Sequence, residues 1–346
     1  MGIFTHNNVT GATWDANVRF KNNSMANAFF NCRNLNTRIT IPNGVTNLAG
    51  TFTNCYNFNQ PVTIPDGVTS LAQTFMRCNK FNQSVTIPNS VTNVHGTFHG
   101  CNNFNQPVTL PDGLLDASAI FQGCYNFNQP VTIPNTVTTL FRTFDSCTIF
   151  NQPVTIPDGV TTTSYMFESC LNFNQPVTIP NRVTLLMSMF RNCVKFNQPI
   201  TITDIKASCY GLFYNCAIYN QPVVFPNRVY DVSYAFWNCR NFNSPVVIGE
   251  SVNNVQYMLF NCYNMAGNIT IYAREINNFR NMLYGKYNNR RVNIFVPNGS
   301  NTNTYMRTCN GSYNSVAGAI IYWTTNTSNN CFYNAARNIY VYWKDF

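Results

Sequence analysis

The 346 residues carry a formal net charge of +9, yet only 10% of them are charged and the 21 Lys and Arg are scattered along the chain. The densest cationic spot is the pair Arg290 and Arg291, so the clustered basic block of a nucleic-acid or anionic-lipid site is missing and neither partner is expected. Hydrophobic residues at 45% and aromatic residues at 15% exclude a disordered chain, and the 57 asparagines make amides, in place of charges, the carriers of polarity.

The first twenty residues, MGIFTHNNVTGATWDANVRF, lack a basic segment followed by an apolar run, and His6 stands where a myristoylation motif places Ser or Thr. No stretch approaches the ~18 apolar residues of a spanning helix, so no membrane insertion is expected. Residues 1–24, with Trp14 and Phe20, are expected to form an N-terminal cap over the first coil of a repeat array.

From Met25 onward one 23-residue unit recurs, opened by cysteines at 32, 55, 78, 101, 124, 147, 170, 193, 216, 239 and 262. Such a period marks stacked coils in which no single repeat can bury its own apolar side chains. Phenylalanine stands three residues before most of these cysteines (Phe52, Phe75, Phe98) and again three residues after (Phe58, Phe81, Phe104), predicting two aromatic ladders. Pairs such as Val62 and Ile64 or Val108 and Leu110, with Thr between, predict a short strand with its aliphatic residues inward. Pro65, Pro111 and Pro157 stop that strand, and Asp66-Gly67, Asp112-Gly113 and Asp158-Gly159 turn the chain. The segment leading back to the next cysteine has room for at most one helical turn.

Cysteines that recur once per coil stack in a column, so Cys55, Cys78, Cys101 and Cys124 are expected to be buried thiols that pack as small apolar residues, not disulfides or zinc ligands. Cys209, sixteen residues after Cys193, falls in a Leu/Val column, and the irregular Thr203–Lys206 beside it predicts Ile205 inward and Lys206 outward. Asparagine follows the second aromatic at Asn59, Asn82, Asn105 and Asn128, predicting an amide ladder that satisfies turn backbones. After Cys262 the pattern fades: Gly285 takes the next cysteine place, NITIY is followed 23 residues later by RVNIF, and AIIYW and NIYVYW read as degenerate coils. The expected organisation is a cap at 1–24, a repeat array at 25–290, and degenerate repeats with a C-terminal cap at 291–346.

The unit C-x-x-F-N-Q-P-V-T-I-P-x-x-V-T resembles the leucine-rich repeats of BspA-like bacterial surface proteins. It also resembles the FNIP repeats of amoebae and large DNA viruses and the FNQ-containing surface-protein repeats of mycoplasmas. The likeness runs from about Met25 to Arg291; the strand sits one residue later after the cysteine than in the BspA-like unit, and the stretch before Phe is one shorter. The resemblance implies a β-rich leucine-rich-repeat-like solenoid of the α/β repeat class, with short strands and at most one helical turn per coil, in a single elongated array. It also implies protein recognition or adhesion in place of catalysis.

Chemistry is sparse. His95 and His99 stand four apart near Cys101 but have no carboxylate with them, so no metal and no cofactor is expected. Asp66, Asp112 and Asp158 form a turn column and not a facing acid and base, and the chain is read as non-enzymatic. Positions that differ between copies are free for a partner: Tyr56, Lys80, Tyr125, Lys195, Arg240 and Tyr263 just after the cysteines, and Arg182 and Arg228 in the turns, are the candidate partner-binding residues. The preferred expectation is a virion-surface protein, a capsid decoration or tail-associated component that attaches to a host. It rests on the amide-rich exterior, the free thiols and the missing export signal, with capsid or tail subunits, or a host surface protein or glycan, as partner. The alternatives are a bacterial cell-surface adhesin and an intracellular interaction scaffold, and self-association as a homo-oligomer is compatible with each.

Overall fold

The computed structural model describes residues 20–278, 281–283, 292–297, 324–326, 331–334 and 339–344. Nearly all of the expected cap at 1–24 therefore lies outside the described residues, as do Gly285, Arg290, Arg291 and AIIYW. The fold is a β-rich, solenoid-like repeat, divided into two compact units, Met1–Gln175 and Pro176–Phe346.

In the first unit each coil begins with the aliphatic pair. Val62 and Ile64 are buried with Thr63 exposed, and Val108, Thr109 and Leu110 repeat the pattern. No strand ladder is assigned to these segments among the described residues; parallel contact between coils is made instead at single bridges, such as Ser70 to Asn93 and Thr139 to Thr162. Most copies read Pro-Val-Thr-Ile/Leu-Pro and each proline removes an N–H from a ladder, although Val177–Thr178 of the second unit pair between the same two prolines. The turn beyond the second proline is closed by Val68 N–H on Pro65 O at 3.3 Å, with Gly67 at φ +91°, a conformation that suits glycine. Where the glycine is replaced, Ser90 and Thr136 donate their hydroxyls to the Val68 and Leu114 carbonyls of the preceding coil, both at 2.7 Å.

The corner that returns to the cysteine is not the helical turn expected from the sequence. From Leu71 to Phe81 the N–H groups alternate in their destinations. Thr74, Met76 and Cys78 donate locally to Leu71, Gln73 and Phe75, whereas Gln73, Phe75 and Arg77 donate to His95, Thr97 and His99 of the next coil at 2.6–2.9 Å. Left-handed residues, Gln73 at φ 55° and Arg77 at φ 57°, interrupt any helix every fourth residue. Half of the corner's donors are thus spent on the neighbour, which a helix would keep for itself. Buried threonines add to this: Thr74 and Thr97 donate Oγ1 to Leu48 O and Leu71 O, both at 2.9 Å.

Two columns of rings fill the core. Phe75–Phe98 and Phe81–Phe104 are parallel pairs 5.8 and 6.0 Å apart, and Phe75 and Phe81 approach to 4.3 Å between columns. The twelve cysteines whose side chains are described are free and buried, and thiols of the repeat column point back at a phenylalanine carbonyl, as Cys78 does to Phe52 O at 3.1 Å and Cys124 to Phe98 O at 3.0 Å. Each asparagine after the second aromatic serves the following coil. Asn105 Oδ1 accepts the Asn128 N–H at 2.9 Å and Gln129 Nε2 at 3.2 Å, while Asn105 N–H donates to Asn82 Oδ1. The amides of this column therefore bond the neighbouring backbone and glutamine rather than one another.

In the second unit strands are assigned and lengthen toward the C-terminus. β1 (Val177–Thr178) and β2 (Ile200–Thr201) form a two-stranded parallel sheet. A seven-stranded sheet runs β3 (Val223–Phe225), β4 (Val246–Ile248), β5 (Asn268–Ile271), β6 (Val292–Pro297), β9 (Ile339–Lys344), β8 (Cys331–Asn334) and β7 (Thr324–Asn326). The strands grow from two residues to six, with proline on both sides of β1 and β3 and on neither side of β5. β9 lies parallel to β6, in the place of the next coil's strand, whereas β8 pairs antiparallel with β9 and β7 antiparallel with β8. The 23-residue spacing expected beyond Cys262 is also corrected: Asn254 bridges Asn278, 24 residues on, and Asn268 pairs with Asn293, 25 on, so inserted residues shift the register. Ile205 is buried and Lys206 exposed, as the irregular repeat implied.

Burial pushes the thiols of the five cysteines from Cys55 to Cys147 and the four from Cys209 to Cys262 well above their ordinary value. A raised thiol keeps its proton in the folded chain while the unfolded chain ionises at pH ~8.5, so stability is intact below that value and falls as pH rises above it. Each such thiol contributes about 1.4 kcal/mol per pH unit, so denaturant midpoints are expected to be flat from pH 6 to 8 and to collapse above about pH 9. A midpoint unchanged at pH 10 would contradict the buried column. A second expectation concerns the amides: Asn105→Ala leaves two donors unanswered and should cost about 1–3 kcal/mol by chemical denaturation. Asn103→Ala, whose exposed amide accepts one 3.4 Å bond, should stay within about 0.5 kcal/mol.

Candidate binding surface

The corner geometry decides which residues a partner can reach. Local and intercoil hydrogen bonds fix the backbone, Phe, Thr and Cys point inward, and the residues two, five and six before each cysteine mostly turn outward. The fold asks little of these columns beyond a left-handed φ at the fifth position, and copies differ there more than anywhere in the core. They form a ribbon along the corners of each unit.

In the first unit the ribbon mixes charged and polar residues with Phe30, Met76, Phe141 and Tyr165. Arg142 lies between two aromatic faces, 4.4 Å from the Tyr165 ring centre and 5.4 Å from that of Phe141. Its guanidinium also meets Asp145 Oδ2 at 2.5 Å and Glu168 Oε2 at 3.4 Å. Asp145, almost fully buried, accepts further bonds from Gln122 Nε2 and Ser146 Oγ, both at 2.9 Å. The carboxylates are therefore neutralised and hydrogen-bonded by their own coil and its neighbours, an arrangement that positions a surface and offers no unengaged acid. His99 occupies the same column; burial, then the charge of Arg77, pushes its pKa down, while His95 is exposed. Among the described residues no group of three or more His, Cys, Asp or Glu could hold a metal ion.

In the second unit the same columns are aromatic. Tyr214 and Trp237 stack with ring planes 6° apart, and Trp237 and Phe260 stack at 4.0 Å, 12° apart. Tyr234 and Tyr257, in the column beside them, lie 5.3 and 5.1 Å from Trp237, and Tyr210, one position earlier in its coil, reaches Tyr234 at 5.3 Å. All six rings are half-buried. Arg191 stands over the Tyr214 ring at 4.7 Å, one coil below it.

The residues singled out from the sequence fall at two separate places. Tyr56, Lys80 and Tyr125 in the first unit and Lys195, Arg240 and Tyr263 in the second lie just past the cysteines, at the border of the ribbon; Lys80, Tyr125, Lys195 and Arg240 are exposed. Tyr56 carries Arg33 over its ring at 5.3 Å. Arg182 and Arg228 sit exposed in the turns beyond the strand segment, and the Arg228 backbone N–H is held by Asp204. The structure thus does not gather the eight into one patch. The ribbon itself escapes the repeat pattern, although its signal is present: SYAFWNC and QYMLFNC place aromatics in columns where other copies carry Gly, Gln or Ala. A cavity of about 420 Å³ is lined by Glu250, Tyr272, Arg274 and Pro297 and brings together one carboxylate and one guanidinium. Among the described residues no helix is long and apolar enough to cross a membrane.

The family described as "Mycoplasma protein of unknown function, DUF285" matches residues 23–132, 112–181 and 158–249, and the BspA type leucine rich repeat region matches residues 210–339. A leucine-rich repeat protein from Bacteroides ovatus is similar in structure, with a TM-score of 0.56 at 18% identity over 82% of this chain and 84% of that one. A leucine rich cell surface protein from Faecalibacterium prausnitzii gives 0.45 at 20% identity over 71% and 75%. No curated protein sequence matches the chain.

Removal of Arg142 tests the polar part of the ribbon. Arg142→Ala leaves Asp145 buried without its cation and is expected to cost about 1–3 kcal/mol in thermal or chemical denaturation. Adding Asp145→Asn should restore part of that loss, and a double variant worse than the sum of the singles would refute the pairing.

Proposed function

We propose that this chain, which belongs to the DUF285 family of mycoplasma proteins, is a non-catalytic binding protein displayed on a bacterial cell surface, where its variable corner ribbon recognises a protein partner. The observation that carries the reading is the division of labour within the coil. Repeated Phe, Thr, Cys and Asn are consumed by packing and intercoil hydrogen bonds, and the residues that differ are half-exposed in adjacent columns. Repeat proteins of this build present extended surfaces, and Tyr, Trp and Arg are the residue types that anchor interfaces.

The bacterial surface is favoured over the virion surface because the two matching families are a mycoplasma family and the BspA type of repeat, the latter implying adhesion. Capsid or tail subunits have no feature of the coils in their favour. The buried thiol column is compatible with an oxidising exterior, since every described thiol is buried away from solvent oxidants. Surface biotinylation and protease shaving of intact producing cells check the assignment. The chain is expected to be labelled and cleaved without lysis. Protection until lysis would favour an intracellular scaffold, and recovery with purified virions would restore the viral reading.

A further inference from the structure

We infer that the aromatic ribbon of the second unit, centred on Trp237 and Tyr257, docks an acidic protein segment with an apolar centre. The inference rests on the proposed binding role and names its site and partner chemistry.

The first support is the freedom of the column. Tyr234 and Tyr257 hold left-handed φ values of 59° and 53°, the corner conformation that Gln73, Arg142, Gly96 and Gly211 also adopt at 55–59°. The corner accepts residues of any size, so the fold does not call for a tyrosine there. Half-exposed tyrosines in two successive coils are therefore spare to packing and open to a partner.

The second support is ring presentation. Tyr214, Trp237 and Phe260 stack in a column at 5.7 and 4.0 Å, so much of each face is covered by a neighbouring ring and the edges are turned outward. A sugar ring stacks on an exposed aromatic face, which this column does not offer. Ring edges, held rigid by their neighbours at little further entropic cost, suit the apolar side chains and aromatic faces of another protein.

The third support is charge. Arg191, stacked on Tyr214, and the exposed Lys195 and Arg240 stand on the cysteine side of the ribbon, Arg240 three residues beyond Trp237. Asp231, the carboxylate nearest in sequence on the other side, is engaged by the Ser233 N–H and Oγ at 2.9 and 2.7 Å. A cationic rim beside an aromatic centre complements Asp and Glu flanking an apolar core.

The test uses the full chain and a random dodecapeptide library displayed on phage, with titration of one synthetic selected peptide as its second stage. Selected sequences should combine aromatic or aliphatic residues with Asp or Glu, and Trp237→Ser with Tyr257→Ser should weaken the peptide at least tenfold. Lys195→Glu with Arg240→Glu, at exposed positions that leave the fold intact, should weaken it several-fold and flatten its salt dependence. Tyr125→Ser in the first unit should change nothing. Circular dichroism and thermal melts of each variant separate lost binding from lost folding. No enrichment over the naive library, enrichment indifferent to the charge-reversal pair, or capture of neutral glycans on an array that Trp237→Ser abolishes would each overturn the inference. Cell-surface labelling reads the location alone, so its failure would leave this result standing, and the reverse.

Discussion

Every coil in either unit is chemically incomplete without its neighbour, and the constraint is sharpest at the corner. Phe75 N–H reaches Thr97 O at 2.9 Å and Arg77 N–H reaches His99 O at 2.6 Å, while the Met76 N–H between them turns back on Gln73 O. A single coil would leave those donors and carbonyls unsatisfied around a pair of exposed phenylalanines. Stacking answers both needs together, and it imposes a strict step: a residue added to one coil displaces a donor, a ring and an amide at once. The 24-residue step from Asn254 to Asn278 and the 25-residue pairing of Asn268 with Asn293 are absorbed inside the seven-stranded sheet, which already runs from β3.

Much of this is legible in the sequence because packing leaves periodic signatures. The columns of Phe75 and Phe98, the alternation of Val62, Thr63 and Ile64, and the thiol column all follow from side chains whose burial depends on spacing alone. What spacing does not convey is the backbone. A short segment ending in TFxxC reads as one turn of helix by length, whereas the choice of left-handed φ at Gln73 and Arg77 is made by hydrogen bonds to a coil 22 residues away, and neither residue type announces it. The strand segments of the first unit show the alternating burial that the sequence implies but no ladder, and their prolines do not decide it, because β1 and β3 pair between prolines as well.

The candidate surface is less legible than the fold because it depends on which side of the corner faces out. Positions next to the cysteine, such as Lys80 and Tyr125, are exposed residues on the rim; the half-buried rings beside them look in sequence like further core. Trp237 and Phe260 alternate with buried residues in a chain that reverses every two positions, and neither a helical nor a strand period sorts them. Only the alternating hydrogen-bond destinations place them on the outside.

The two ladders of the second unit, one inside and one on the corner, use the same physics to opposite ends. Inside, Phe213 and Phe236 stack at 5.5 Å and their burial holds the coils together. Outside, Tyr214 and Trp237 stack at 5.7 Å in the same direction because they ride on the same coils, yet each keeps an edge in solvent. A repeat that forces identical positions into columns makes any outward aromatic a neighbour of the next one. A few substitutions in SYAFWNC and QYMLFNC therefore build a continuous rigid surface without a change in the fold, whereas the same columns in the first unit set Arg142, Asp145 and Glu168 beside Phe141 and Tyr165 and build a charged one. The scaffold fixes where side chains stand, and composition along one ribbon decides what they can hold.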